Sequence, residues 1–394
     1  MDTTPIHTRL WHRDFWLLAI ASFLLTMPMY MLIPLLPSWL AVRTDLDYSE
    51  VAMVMLSYGL GLFALGPFCN YLTQRYRRKT VCVLSSAGVA VLLSVFFVLE
   101  HSLGGWALPW YAMAALRFVL GALFGLSQMV LLSTLIIDVS ESAYRTEANY
   151  AVVWFGRFPL VLGPLVALQL YRFFDIDIIS LIMAATALLG ALLVSMIHLP
   201  FKAPDDNLRT LSTDRFLLKE NPLCFINLMC FTAFFGMLLY WMLDAVMYAM
   251  LMVGFYLAIR LGKTLLSVSG RRADMYLAVA LSGLAFLLPI LFSNEWLWNY
   301  LSPVLFGCVA GLVCNRFMFI FLNISHHCQR GTSQSTFFLA WELGITLGVF
   351  LTFMSPDKEQ LLLIALSLLA LSFVLYFTLT HGWQVRHQNR QPGL

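Results

Sequence analysis

Twelve apolar segments, each about 20 residues or longer, occupy most of this 394-residue chain. A mostly apolar segment of about 20 residues can cross the hydrocarbon core of a bilayer as a helix, because a helix satisfies its own backbone hydrogen bonds. The segments lie at residues 15–40, 49–71, 80–99, 108–138, 147–170, 178–199, 223–242, 245–268, 274–292, 300–323, 333–354 and 360–380. They predict an all-α polytopic membrane protein with twelve transmembrane helices.

The small number of charged residues excludes several classes of soluble protein. Only 11% of the residues are charged and 60% are hydrophobic, whereas about a quarter of a soluble domain is charged. Such a chain cannot cover a water-facing surface. We therefore exclude a soluble enzyme, a disordered regulator and a nucleic-acid-binding protein.

The distribution of positive charges predicts the orientation in the membrane. If the amino terminus is cytoplasmic, 16 of the 24 Lys and Arg residues fall in cytoplasmic segments, three in outer loops and five within predicted helices. Cytoplasmic loops are enriched in Lys and Arg. We therefore expect both termini in the cytoplasm, with the protein in a bacterial inner membrane or other plasma membrane.

A polar stretch separates the twelve segments into two groups of six. Residues 200–222 contain four acidic and four basic residues. The stretch predicts a cytoplasmic linker between an N-terminal domain of residues 1–199 and a C-terminal domain of residues 223–394. The alternative is an ordinary long loop.

The loop after the second segment carries a recognisable pattern of cations. Arg75, Arg78 and Lys79 stand where the motif G-x-L-A-D-R-x-G-R-R has basic residues, although Gln74 replaces its aspartate. The loop thereby resembles the signature loop of the major facilitator superfamily.

Two further motifs strengthen this resemblance. Arg117 and Gly121, in the fourth segment, resemble the R-x-x-x-G motif of the same family. Gly163-Pro164, in the fifth segment, resembles the G-P motif of its antiporter branches, which favours antiport. We also interpret Gly163 and Pro164, together with Arg75, Arg78 and Lys79, as gating residues.

The resemblance implies two six-helix domains related by a pseudo-twofold axis along the membrane normal. It places a substrate site between the domains near the midplane and implies alternating access. We expect a monomer that carries a small-molecule solute. The sequence contains no phosphate-binding glycine loop and no cluster of metal-ligand residues, so we expect no cofactor and no metal.

Six charged residues lie clearly inside the predicted helices, away from the helix ends, where charge is expensive and marks substrate or ion pathways. They are Arg117, Arg157, Arg260, Lys263, Arg316 and Glu342. We predict that Arg157, Arg260, Arg316 and Lys263 bind substrate. Glu342 and Arg117 are the candidates for proton coupling.

The same residues also allow purely structural roles. Arg157 is alternatively part of an internal ion pair, and Arg316 alternatively pairs with Glu342 on a neighbouring helix. Arg260 and Lys263 alternatively extend to the membrane surface. Arg157 and Glu342 are 185 residues apart, as are Gly163 and Gly348, which suggests equivalent positions in the two halves.

Taken together, these observations predict a secondary active transporter for a small anionic or amphipathic organic solute, coupled to protons. One alternative is a broad-specificity efflux pump for lipophilic compounds, in which the buried charges are locked in pairs. Another is a transporter-like sensor that does not transport. We do not expect an enzyme. A membrane enzyme needs catalytic acids or histidines at a membrane face, and of the eight histidines, all near segment ends, only His326 and His327 cluster.

Overall fold

The computed structural model describes most of the chain, and every regular element in the described part is helical. The described residues are 10–43, 46–103, 109–141, 144–199, 208–220, 222–242, 244–264, 273–292, 295–325, 329–355 and 357–382. Within them, the side chains of residues 42–43, 97, 100–103 and 261–264 are excluded from the description.

In the described part of the chain, twelve helices, one for each predicted segment, form the bundle. They are α1 (Arg13–Arg43), α2 (Tyr48–Arg75), α3 (Arg78–Leu103), α4 (Trp110–Val139), α5 (Arg145–Leu170), α6 (Ile176–Ser195), α7 (Pro222–Trp241), α8 (Ala245–Thr264), α9 (Ala273–Phe292), α10 (Leu297–Ile324), α11 (Arg330–Met354) and α12 (Lys358–Thr380). Eleven are long and apolar enough to span a membrane, and α8 contributes a shorter apolar stretch, Ala245–Arg260. The prediction of a twelve-helix membrane protein is confirmed.

Several helices are locally irregular. Helix α2 contains a 3-10 turn at Gly66–Phe68, and α4 contains a π turn at Leu131–Leu135. Helix α5 is interrupted at Phe158, directly after Arg157, because Pro159 has no amide hydrogen to donate. Extra backbone turns of the π type often occur at functional sites.

The two halves of the chain repeat the same helix packing. Helices α1 and α5 contact each other, as do their counterparts α7 and α11; likewise α2 packs on α4, and α8 on α10. Across the interface between the halves, α2 packs on α11 and α5 packs on α8. Helix α8 is the counterpart of α2, and α5 is the counterpart of α11. The two contacts across the interface are therefore equivalent, as a pseudo-twofold axis between the halves requires.

Glycines permit the closest of these contacts. A Cβ atom built on Gly121 of α4 would lie 2.2 Å from the carbonyl oxygen of Tyr58 on α2. A Cβ on Gly307 of α10 would lie 2.1 Å from the carbonyl oxygen of Leu251 on α8. Small residues at such positions let helix backbones approach each other within the membrane.

Candidate functional site

A buried ion pair joins the two halves of the bundle. Nη1 of Arg157 on α5 lies 2.8 Å from Oε1 of Glu342 on α11, and the two side chains are only 4% and 3% exposed. Helices α5 and α11 are equivalent in the two halves, and both residues lie six positions before a glycine, Gly163 or Gly348. The structure therefore shows an internal ion pair at Arg157, and the pairing of Glu342 with Arg316 is wrong.

Tyr30 of α1 completes this polar centre. Its hydroxyl donates a hydrogen bond of 2.7 Å to Oε1 of Glu342 and accepts one of 3.3 Å from Nη1 of Arg157. Gly163 brings α5 against α1 here, because a Cβ on Gly163 would lie 2.7 Å from Cβ of Tyr30. One tyrosine in a long apolar segment carries no sequence signal, so sequence analysis did not select Tyr30.

Arg117 of α4 lies beside this centre and has no carboxylate partner among the described residues. Its guanidinium carbon is 4.7 Å from the centroid of the Tyr58 ring, and the residue is 3% exposed. Its Nε and Nη1 atoms have no hydrogen-bond partner among the described residues, and neither has the hydroxyl of Tyr58. Gly121, one turn after Arg117, sets this contact by bringing α2 close to α4.

A small cavity connects the two groups. Tyr30, Tyr58, Arg117 and Glu342 line it together with apolar side chains from α1, α2 and α11 and the hydroxyl-bearing Thr346. Its volume, counted as the space open to the centre of a water molecule, is about 20 Å³. That is enough for about one or two waters, so the two halves are closed around the site.

The bundle is closed at the end where the linker lies, which we call the linker end. There Nη1 of Arg330, on α11, donates a hydrogen bond of 2.8 Å to the hydroxyl of Thr146 on α5. A Cβ on Gly331 would lie 2.4 Å from the carbonyl oxygen of Ser133 on α4. Each contact links one half of the chain to the other.

The opposite end is closed as well. The rings of Tyr48 on α2 and Phe353 on α11 stack with centroids 6.5 Å apart. Arg172 and Asp244, which follow α5 and precede α8, approach to 4.0 Å at the surface. Contacts therefore join the two halves at both ends of the bundle, with the small cavity between them.

The predicted substrate-binding cations whose side chains are described, Arg157, Arg260 and Arg316, are not among the residues that line this cavity. Nε of Arg316 on α10 donates a hydrogen bond of 2.6 Å to the hydroxyl of Tyr376 on α12, and Arg316 is 4% exposed. Arg260 is exposed, near the end of the described part of α8. Helix α8 continues through Lys263, whose side chain lies outside the described residues.

Two of the three basic residues of the predicted signature loop, Arg78 and Lys79, contact helix ends. Arg78 forms an ion pair with Asp138 at the end of α4. Nζ of Lys79 donates hydrogen bonds of 3.1 Å to the carbonyl oxygens of Ser195 and Ile197 at the end of α6. Arg75 is exposed.

The sequence matches a known protein family. The family model described as Major Facilitator Superfamily matches residues 18–349. The chain belongs to the major facilitator superfamily. Membership indicates a multi-pass integral membrane protein that acts as a secondary transporter of a small-molecule solute rather than as an enzyme.

Solved structures of the superfamily share this fold. The nucleoside transporter NupG has a TM-score of 0.61 at 16% identity, covering 92% of this chain and 97% of that one. The human organic anion transporter MFSD10 (TETRAN) has a TM-score of 0.63 at 15% identity, with coverages of 92% and 98%. No match was found among curated protein sequences.

Proposed function

We propose that this protein carries a small organic anion across the membrane together with a proton. Arg117 would bind the anion, and Glu342 would take up the proton. The observation that carries the proposal is the buried Arg117 at the cavity wall, whose Nε and Nη1 have no hydrogen-bond partner in the described structure. A carboxylate or phosphate is the natural ligand of a guanidinium group.

The charges around the cavity favour an anion over a cation. Arg117 and Arg157 contribute two positive charges and Glu342 one negative charge, so these groups leave one excess positive charge. A charge buried within the membrane is unfavourable unless it is paired or faces water. A monoanion bound at Arg117 neutralises this excess, whereas a cationic solute increases it.

The same charges predict the direction of coupling. A proton on Glu342 makes the site more positive and so strengthens anion binding, and by thermodynamic linkage the anion strengthens proton binding. Antiport requires the two to exclude each other. The charge arrangement therefore supports cotransport, whereas the Gly163-Pro164 resemblance favours antiport.

Two further features fit this proposal. Glu342 holds both Arg157 and Tyr30, which belong to the other half of the bundle, so a proton on Glu342 weakens a contact between the halves. The name of MFSD10, an organic anion transporter, agrees with an anionic solute, although its likeness to this chain carries only the fold.

We further propose a monomer in a plasma membrane with both termini cytoplasmic.

Paired ligands test the anion site directly. The thermal stability of the purified protein would be measured with small carboxylates and their neutral amides, such as benzoate against benzamide, because a bound ligand stabilises the folded protein. We expect at least one carboxylate to raise the midpoint and its amide to have no effect. The shift should disappear in Arg117→Gln and persist in Arg316→Gln, a buried arginine with a partner elsewhere.

Transport of that carboxylate into liposomes then tests the coupling. Uptake should accelerate when the outside is made acidic and should lose this response in Glu342→Gln. Acceleration by an acidic interior would instead demonstrate antiport. If amides bind as well as carboxylates do, the anion proposal fails and the alternative of an efflux pump for lipophilic compounds gains support.

A further inference from the structure

We propose that residues 212–218 of the linker form a strap that holds the linker end of the bundle closed and must detach before that end opens. The strap follows the segment 200–207, which lies outside the described residues, and precedes α7. The proposal needs only the alternating access of the superfamily. It does not depend on the anion or the proton.

The strap is hydrogen-bonded to α2 in the first half of the bundle. The amide of Ser212 donates a hydrogen bond of 2.9 Å to the carbonyl oxygen of Pro67, in the 3-10 turn of α2. Nη1 of Arg215 donates a hydrogen bond of 3.0 Å to the hydroxyl of Thr73, near the end of α2. These bonds anchor the strap on the first half.

The strap is also hydrogen-bonded to α11 in the second half. The amides of Arg215 and Leu218 donate hydrogen bonds of 2.9 and 2.8 Å to the hydroxyls of Thr332 and Thr336. The hydroxyl of Thr332 in turn donates a hydrogen bond of 3.1 Å to Oδ1 of Asp214. Both threonines lie one turn apart on α11, just after the glycine at which α11 meets α4.

An aromatic side chain fills the space beneath the strap. Phe216 is 7% exposed. A Cβ atom built on Gly66 would lie 2.1 Å from Cε2 of Phe216, so the ring occupies the space that a side chain on residue 66 would need. The ring also lies 6.0 Å, between centroids, from the ring of Phe63 on α2. Gly66 therefore creates the pocket that receives Phe216, and the strap is packed as well as hydrogen-bonded.

The backbone of the strap is held in an unfavourable conformation. Arg215 has φ of 60°, and it is the non-glycine residue with positive φ in the described part of the chain. Side-chain-bearing residues adopt this left-handed region at an energetic penalty, so surrounding contacts must maintain it. Here Oδ1 of Asp214 accepts the Arg215 amide at 3.0 Å, and the hydroxyl of Thr332 accepts it as well.

Because it is bonded to α2 and to α11, the strap acts as a latch between the two halves of the bundle. Helices α2 and α11 belong to different halves and pack against each other across the interface. When the halves separate at the linker end, the strap cannot remain bonded to both helices. Loss of either set of bonds should therefore shift the population towards states that are open at this end.

Removal of two hydroxyls tests the latch with little change in shape. The double variant Thr332→Val/Thr336→Val removes the acceptors for Arg215 and Leu218. Opening would be followed by maleimide labelling of Ser133→Cys in nanodiscs, after replacement of the seven native cysteines. Ser133 is 6% exposed at the α4–α11 contact, and its hydroxyl has no partner among the described residues.

We expect the labelling rate to rise about tenfold, which corresponds to about 1.4 kcal/mol. The matched control is Thr352→Val, which removes a hydroxyl of the same helix, near its opposite end, that bonds only to the carbonyl oxygen of Gly348 in the described structure. Labelling that rises equally in the control, or that does not change in the double variant, overturns the proposal.

A disulfide tests the same latch in the opposite direction. In Gly66→Cys/Phe216→Cys the large ring is removed and both sides of the same pocket carry a thiol. A disulfide formed there by oxidation tethers the strap to α2 and keeps it in position to bond α11. Opening would be measured as the distance between α2 and α11 at the linker end, with spin labels carried by unnatural amino acids. We expect oxidation to lower the open population and a reductant to restore it. An oxidised protein, verified by mass spectrometry, that opens as freely as the reduced one refutes the latch.

Discussion

Neutralising Glu342 is the most direct test of the ion pair between the two halves of the chain. In Glu342→Gln the side chain keeps an oxygen that can accept hydrogen bonds from Arg157 and Tyr30, but it loses its negative charge. Arg157 then remains buried, with a side chain 4% exposed and no carboxylate partner. The variant isolates the effect of charge from that of shape.

The geometry of the pair sets the size of the effect. For two unit charges 2.8 Å apart, an effective dielectric constant of about 20 gives an attraction of about 6 kcal/mol, before the opposing desolvation of both groups is counted. Removing one partner of a buried pair destabilises by about 3–5 kcal/mol, because the other charge is left uncompensated. Since glutamine preserves the hydrogen-bond acceptor, we expect Glu342→Gln to lower the free energy of unfolding by about 3 kcal/mol.

A double-mutant cycle separates the pair from its surroundings. Arg157→Gln and Arg157→Gln/Glu342→Gln complete the cycle, with the free energy of unfolding measured by SDS titration in mixed micelles. The double variant has no buried charge at this pair, so it should be less destabilised than the sum of the single variants. We expect a coupling energy of about 2–3 kcal/mol.

The control is a second double-mutant cycle, in which Glu342 is combined with Arg316 instead of with Arg157. Arg316 donates to Tyr376 and shares no described hydrogen-bond partner with Glu342. Arg316→Gln and Glu342→Gln should therefore be additive within about 0.5 kcal/mol. Additivity of Arg157→Gln with Glu342→Gln, or coupling of Glu342 with Arg316, would refute the assignment of the pair.

Two further predictions concern the contacts that shape the cavity. Gly121→Ala should destabilise by about 1–3 kcal/mol in the same titration, because the new methyl group collides with the backbone at Tyr58, whereas Gly283→Ala, with nothing within 4 Å of its Cβ, should be neutral or stabilising by up to about 1 kcal/mol. Tyr30→Phe should lower the free energy of unfolding by about 1.5–3 kcal/mol, because it removes a hydrogen bond to the carboxylate of Glu342, whereas Tyr58→Phe, which removes a hydroxyl without a described partner, should not destabilise. Equal effects in either matched pair would contradict the geometry.

Much of the fold was predictable because membrane insertion is decided segment by segment. Each span must be apolar and satisfy its own backbone, whatever its neighbours are, so twelve helices could be located from composition and length. The shared spacing of 185 residues between Arg157 and Glu342 also indicated equivalent positions on two helices. The linker could be recognised by its polar composition, but its contacts with α2 and α11 could not.

Sequence therefore determined which charges enter the membrane, and tertiary structure decided which of them meet. In the sequence, Arg157 and Arg316 look alike as buried cations. Pairing of Glu342 with Arg316 on an adjacent helix was therefore an equally reasonable expectation. The choice depends on how each helix is rotated and how closely it packs, which Gly121 and Gly163 set through contacts with α2 and α1. Electrostatic energy depends on distances of a few ångströms between residues far apart in the chain, and only the packed bundle specifies those distances.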